Sequence, residues 1–485
     1  MTSHSSHFAR VTPIVGHHLR QMRVAVAGLP QADPLVHALA ACGVRRWRWA
    51  TFRRTGSQPA IEAQLLARHG TALGLDTATF AWRRRLAALR ADPPDLLLAV
   101  GNHEILSAAE KLAHAVHTTA LLIWPPTSGA TLARLVLPGD PLASDPWPID
   151  DGAAIDTWEW ATSALLLAGV ARALLLRATP YARSDIARLL HRGIRRIDLG
   201  GAPPLDCHWH TAADPLPQPD ILFHTPPVRR GRLLIAGLGS LGSEAAALLA
   251  PACSHLLLID PDTVDAANPV RQHYPVAAIG RPKAAALAAQ LRHSGAIIHA
   301  HASSLHTEAQ VATLLADEPI DAALVVTGTA ADFAIARALR DHGVPHVVGR
   351  CYPRARYWEA IVVDGKKGPA YGDIRGYIQT GPLPQPTAEQ LAAYSAAGAL
   401  ESEPATLVES GWAAAWLARL VAQLRVPTGL RERWLLELLA AGQTCLIGGT
   451  VVEPTTTGPA YAIAHPGAIH AWGMASLSAE RSTIG

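Results

Sequence analysis

What the sequence lacks most plainly is charge of one sign. Lys+Arg number 42 against 39 Asp+Glu, a net charge of +3 over 485 residues. There is no basic tail or stripe, so nucleic acid has no electrostatic footprint to bind. Cysteine is sparse too. The 5 cysteines, at positions 42, 207, 253, 351 and 445, are scattered and odd in number. That excludes a disulfide framework and fits a reducing compartment. Long apolar runs are missing: the longest stretch, ATSALLLAGVARALLL, is interrupted by Arg172 and falls short of the roughly 20 residues that a membrane-spanning helix needs. The opening MTSHSSHFAR is polar and has no apolar core, so no secretory signal is expected. These absences lead to the expectation of a soluble cytoplasmic protein with neither a membrane nor a nucleic-acid partner.

What is present is a hydrophobic content of 49 %, ample for sizeable cores, and a length that predicts two to three domains. The chain reads as two similar halves. MRVAVAGLPQADPLVHALAACGVRRWRWATF and GRLLIAGLGSLGSEAAALLAPACSHLLLIDPD share one order of strand, turn, helix and strand. Laid over one another, they pair Gly28 with Gly237, Pro30 with Gly239, Asp33 with Gly242 and Thr51 with Asp260. Three later blocks echo in the same order, which indicates an internal duplication of an α/β unit. Strands such as LLLAV and AALVV are continuous apolar runs, as a sheet covered on both faces requires. The expected fold is α/β: two Rossmann-like domains in tandem, a pseudo-dimer of three-layer αβα units with mostly parallel sheets. The expected boundaries are 1–200 for the first copy, 201–230 for a Pro-rich linker, 231–426 for the second copy with a crossover loop at about 371–404, and 427–485 for a C-terminal extension.

The two halves differ at the turn after their first strand. A glycine-rich turn lets the backbone approach a phosphate, and the helix N-terminus behind it aims free N–H groups at the anion. The second half keeps Gly237, Gly239 and Gly242. The first has Pro30, which removes an N–H, and Asp33, which sets a negative charge where phosphate would sit. The first half is therefore expected to be a non-binding copy. Downstream of the second turn, Asp260 ends the next strand, where a carboxylate can accept hydrogen bonds from ribose hydroxyls. Asn268, Arg271 and Gln272 follow in a polar loop, and Lys283 opens a helix after IGRP. A nicotinamide-dependent oxidoreductase needs no Arg and Lys converging on one nucleotide. A nucleotidyl-transfer site does, because fixed cations stabilise the charge that develops on the phosphates.

The string GLGSLG…LIDPDTVDAANPVRQ…IGRPKA resembles the ThiF/MoeB superfamily, the adenylating domains of ubiquitin-activating-type enzymes, over about Gly231 to Leu424. The resemblance implies an ATP-dependent adenylyltransferase, with ATP and Mg2+ as cofactors. It implies that Asp260 binds ribose, that Asp262 and Asn268 lie near the phosphates, and that Arg271 and Lys283 contact the triphosphate with Gln272 beside them. It implies that Arg10, in an opening helix, reaches the ATP of the other copy. The partner implied is a small ubiquitin-like or peptide protein with a C-terminal glycine, activated as an acyl-adenylate and passed to a conjugating-type thiol acceptor or an amine, as in bacterial ubiquitin-like conjugation. A degenerate scaffold that binds nucleotide without turnover is the alternative.

Three departures from the family pattern stand out. Gly328, in VVTGTAADF, stands where the family carries a magnesium-holding aspartate. Asp332, one helical turn on, is either its substitute or a helix-start acid favoured by the dipole. The paired CxxC motifs are missing, so no structural zinc is expected, and CHWH (Cys207, His208, His210) is read as non-metal. The crossover has no cysteine to accept a carboxylate as a thioester. Cys351, flanked by Arg350, Arg354 and Arg356, is the remaining candidate, since nearby cations favour the thiolate; a packing cysteine is the other reading.

Overall fold

In the computed structural model the described residues are 15–28, 31–50, 79–83, 89–125, 131–140, 194–199, 208–211, 231–265, 268–351, 357–380, 407–427, 433–442, 444–449 and 469–472, with isolated positions between them. The chain divides into two compact units, one built on Met1–Phe223 and the other on His224–Ala405 with Glu409–Ala464.

The first unit runs α1 (Val15–Gln21), β1 (Arg23–Ala27), α2 (Asp33–Cys42), β2 (Arg46–Ala50), β3 (Thr79–Arg83), β4 (Leu96–Val100), α3 (His103–Ala115), β5 (Thr119–Trp124), β6 (Thr131–Val136), β7 (Ile194–Leu199) and β8 (His208–Thr211). Its sheet has the order β3-β2-β1-β4-β5-β6-β7-β8. The first five strands are parallel and the last three antiparallel.

The second unit repeats this plan. It runs β9 (Arg232–Ala236), α4 (Ser240–Leu249), β10 (His255–Ile259), α5 (Lys283–Leu291), β11 (Ile297–His301), α6 (Glu308–Asp317), β12 (Ala322–Val325), α7 (Ala331–Asp341), β13 (His346–Cys351), β14 (Tyr357–Val363), α8 (Tyr371–Thr380), α9 (Leu407–Arg425), α10 (Arg433–Ala440), β15 (Cys445–Gly449) and β16 (Ile469–Trp472). Its sheet, β11-β10-β9-β12-β13-β14-β15-β16, has the same order with the same switch from parallel to antiparallel after the fifth strand.

The repetition extends to single contacts. The Arg23 N–H donates to Asp95 Oδ2 at 2.7 Å, and the Arg232 N–H donates to Asp321 Oδ2 at 2.7 Å. Gly28 has φ +90° and Gly237 φ +93°. A Cβ at either would strike the carbonyl at the end of the neighbouring strand, that of Val100 or of Val326, so only glycine fits both turns. Two units built on one topology with the same contact at the same place carry the fold class expected of the sequence.

Burial of consecutive strand residues explains the layering. Leu233, Leu234, Ile235 and Ala236 of β9 are all 1 % exposed or less, although neighbours in a strand face opposite sides. On one side a core joins Leu234, Ala236, Leu257, Ile259, Ala323 and Val325 to Val311 of α6, Ile335 and Leu339 of α7 and Ile374 of α8. On the other, α9 packs on β13 so closely that a Cβ at Gly349 would lie 2.5 Å from Leu417 Cδ1. Each fully buried Leu or Ile contributes roughly 1.5–3 kcal/mol.

The Pro-rich stretch 201–230 supplies β8 to the first sheet, and the stretch 427–485 supplies α10, β15 and β16 to the second unit. These strands are short and bounded by Gly, Pro or Thr, so they lack the apolar run that marks the central ones.

Asp33, the first residue of α2, is partly buried, and its Oδ1 has no hydrogen-bond partner among the described residues. Burial raises its pKa to about 6 from 3.8. The folded state then holds the proton more tightly than the unfolded chain, so stability falls as pH rises through about 4 to 6 and stays lower above. Asp33→Asn is expected to raise the melting temperature at pH 7–8 and to leave it unchanged below pH 4, as read by thermal melts across pH. An equal shift at both pH values would contradict the assignment.

Candidate functional site

The carboxyl ends of β9, β10 and β12 meet at the glycine turn, the place where open α/β sheets bind ligands. Gly239 caps α4 with no side chain on the free N–H groups and no acid in the first turn. A Cβ at Gly239 would meet no atom within 4 Å, whereas one at Gly242 would strike the carbonyl of Gly237. Gly242 thus seats the helix on the strand, and Gly239 leaves the helix N-terminus open to an anion.

Asp260, 5 % exposed, follows β10 and closes the turn. Its Oδ2 accepts from the Leu238 N–H at 2.6 Å and its Oδ1 from the Asp262 N–H at 2.8 Å. Burial, the largest influence, pushes its pKa up, and the two N–H groups and Lys283 oppose it. Each carboxylate oxygen keeps a second lone pair, so a ribose hydroxyl can still be met.

Lys283 is the first residue of α5, and its N–H donates to the Asp262 carbonyl at 2.8 Å. Its Nζ donates to Asp262 Oδ2 at 2.8 Å and lies 4.0 Å from Asp260 Oδ1. The Lys283 side chain is 9 % exposed and that of Asp262 64 %. A buried ammonium is therefore held at the turn by two acids, with donor capacity left for a phosphate.

The loop carrying Asn268, Arg271 and Gln272 turns tightly. The Asn268 carbonyl accepts from the N–H groups of Arg271 at 3.0 Å and Gln272 at 2.8 Å. Asn268 Oδ1 accepts from the Asp265 N–H at 2.8 Å. Gln272 is buried, and its Oε1 has no partner among the described residues. This loop is clamped to the glycine turn by residues that sequence reasoning missed. The Tyr274 hydroxyl donates to the Leu238 carbonyl at 2.8 Å. The His273 N–H donates to Ser243 Oγ at 3.0 Å, Ser243 Oγ donates to the Gly239 carbonyl at 2.6 Å, and His273 Nδ1 lies 3.2 Å from Glu244 Oε2. Tyr274 is fully buried, and burial raises its pKa, so it stays a donor. The only sequence signal was an aromatic directly after the RQH run.

The structure thus brings Gly237, Gly239, Gly242, Asp260, Asp262 and Lys283 together, with Asn268, Arg271 and Gln272 in the adjoining loop. The ThiF family profile matches residues 226–432. That match covers less than half of the chain and falls on the second unit. Among the solved structures that match is MccB of E. coli, at 11 % identity and a TM-score of 0.32, covering 41 % of this chain and 65 % of that one. MccB with AMPCPP and MccA matches at 15 % identity and a TM-score of 0.35, covering 50 % of this chain and 64 % of that one. PaaA matches at 16 % identity and a TM-score of 0.34, covering 45 % and 69 %. The chain therefore spans just under two thirds of the length of MccB. No curated protein matches the sequence.

The remaining expectations fare differently. Arg10, Arg354, Arg356 and Cys207 lie outside the described residues. Cys351 ends β13, half-buried and reduced. Arg350, expected to act on Cys351, points to the other face of the strand, where its Nη2 donates to Asp332 Oδ2 at 3.1 Å. Asp332 is fully buried, and its Oδ1 accepts from the Thr327 N–H at 3.1 Å and Thr327 Oγ1 at 2.6 Å. Fully buried and ion-paired with Arg350, Asp332 does not fit the role of a metal ligand in place of Gly328. Among the described residues no three His, Cys, Asp or Glu side chains converge as a metal site. No helix among them is long and apolar enough to cross a membrane.

Because a side chain at Gly239 meets open space, Gly239→Asp tests charge rather than fit. It is expected to leave the melting temperature within about 1 °C, since Asp is a good N-cap, and to abolish nucleotide binding in a fluorescence titration. Tyr274→Phe is expected to cost about 1 kcal/mol of stability. Wild-type nucleotide affinity in Gly239→Asp would exclude this turn as the binding site.

Proposed function

We propose that this chain is an ATP-dependent adenylyltransferase that activates the C-terminal carboxylate of a peptide or small ubiquitin-like protein. The observation that carries the reading is the placement of Lys283, buried at the start of α5 between Asp262 and Asp260 while Asp260 is bonded to the glycine turn. That arrangement sets a cation, an acceptor for ribose and an open helix N-terminus around one point, in a domain whose family profile matches.

In the reaction a carboxylate oxygen of the partner attacks the α-phosphorus of ATP. The new bond is acyl–O–P, the bond that breaks joins the α-phosphorus to the bridging oxygen, and that oxygen's electrons leave with pyrophosphate. Asp260 orients the ribose. Lys283 and Arg271 stabilise the charge that builds on the phosphates. The partner ends in glycine, as the resemblance implies. The acyl-adenylate passes to a thiol or amine on a conjugating-type acceptor, in the cytoplasm, and Cys351 is this chain's candidate for a thioester.

The test is ATP–pyrophosphate exchange with peptides ending in glycine. Lys283→Ala and Arg271→Ala are each expected to reduce exchange or ATP affinity at least about tenfold, or about 1.4 kcal/mol, the scale of one charge-assisted contact. Wild-type values in both variants would sink the assignment. Tight ATP binding with no exchange for any partner would favour the second reading, a nucleotide-binding scaffold, which Gly328 supports. A reducible partner adduct that Cys351→Ser removes, with exchange intact, is the result expected if a thioester forms on this chain.

A further inference from the structure

The loop between β12 and α7 lies against the glycine turn. A Cβ at Gly237 would lie 2.8 Å from Thr327 Cα, and Thr327 is the residue that Asp332 holds by its N–H and its hydroxyl. Thr327 Oγ1 also lies 2.9 Å from Thr329 Oγ1. At Gly328, between these threonines, an added Cβ would meet no atom within 4 Å. The loop therefore presents no acid of its own toward the turn, and the first acid after it in the chain, Asp332, is turned inward and fully buried.

What the loop does hold is a guanidinium. Arg350 Nη2 donates to Asp332 Oδ2 at 3.1 Å and lies 3.5 Å from the Thr329 carbonyl. The Arg350 side chain is 21 % exposed, whereas Asp332 is 0 %. Its Nε makes no hydrogen bond among the described residues. Glu359, which faces Arg350 across β13 and β14, is engaged by Arg375 Nη1 at 3.0 and 3.1 Å and does not compete for it. A buried carboxylate that fixes one edge of a guanidinium leaves its other donors oriented at little further entropic cost, and planar guanidinium suits phosphate oxygens.

We propose that Arg350, fixed by Asp332 against the loop that packs on the glycine turn, is a phosphate-binding cation of this site and takes the place of the metal that a carboxylate at position 328 would hold. The inference rests on the adenylation reading and concerns how the triphosphate charge is met. An arginine supplies that charge from the protein, so nucleotide binding does not depend on magnesium.

The test is equilibrium binding of ATP to the full chain without any partner, in magnesium and in EDTA. The wild-type dissociation constant is expected to change less than about threefold between the buffers, and Arg350→Ala to weaken binding at least about tenfold in both. Arg350→Ala strands the buried Asp332 carboxylate, so Arg350→Gln/Asp332→Asn, which leaves no uncompensated charge, is measured beside it with the same expectation. Gly328→Asp is expected to make binding magnesium-dependent. A wild-type protein that loses ATP in EDTA, with both Arg350 variants binding as wild type in magnesium, would overturn the proposal and leave the adenylation reading standing. Unchanged ATP affinity with a raised KM for the peptide would assign Arg350 to the partner's carboxylate, and overturn it likewise. No ATP binding by the wild type in either buffer would overturn both.

Discussion

The geometry of the second unit's site depends on one buried carboxylate. Asp260 sits where β10 ends, and its two oxygens reach in two directions, to the N–H of Leu238 inside the glycine turn and to the N–H of Asp262 on the way to α5. Through the first bond it fixes where Gly239 presents the start of α4. Through the second it fixes Asp262, and Asp262 in turn holds Lys283. Burial alone would favour a protonated acid. The nearby ammonium and the two N–H groups offset this, and the same ammonium is what a phosphate would meet. Structural closure of the turn and electrostatic preparation of the site are thus one set of contacts.

The first unit shows what the same scaffold does without those contacts. It keeps the strand order, the left-handed glycine at the end of its first strand and the Arg–Asp contact beneath it. Its helix α2 begins with Asp33, a carboxylate of the chain's own at the N-terminus where α4 has none. The backbone plan therefore persists while the polar groups at the turn do not, because topology is held by many apolar contacts and the arrangement at the turn by a few polar ones.

Much of this was legible in the sequence because it is local or periodic. The apolar runs of β4 and β12, the glycine spacing, the strand-end Asp260 and the helix-start Lys283 each leave a mark within a few residues. The edge strand β8 leaves none, since the four residues HWHT between Pro-rich stretches show no apolar periodicity. Contacts between distant segments were also silent. The clamp of Tyr274 on Leu238 spans 36 residues, and the pairing of Arg350 with Asp332 spans 18. Adjacency in sequence put Arg350 beside Cys351, and it gave no sign of the ion pair that Arg350 makes with Asp332 on the other face of β13.

The account's central claim is that two copies of one fold hold a single nucleotide site, built around Asp260 in the second unit. Native mass spectrometry of the intact chain at saturating ATP tests it most directly. The account predicts one nucleotide per chain, and none in Asp260→Ala. Two nucleotides per wild-type chain, or one that survives Asp260→Ala, would contradict it.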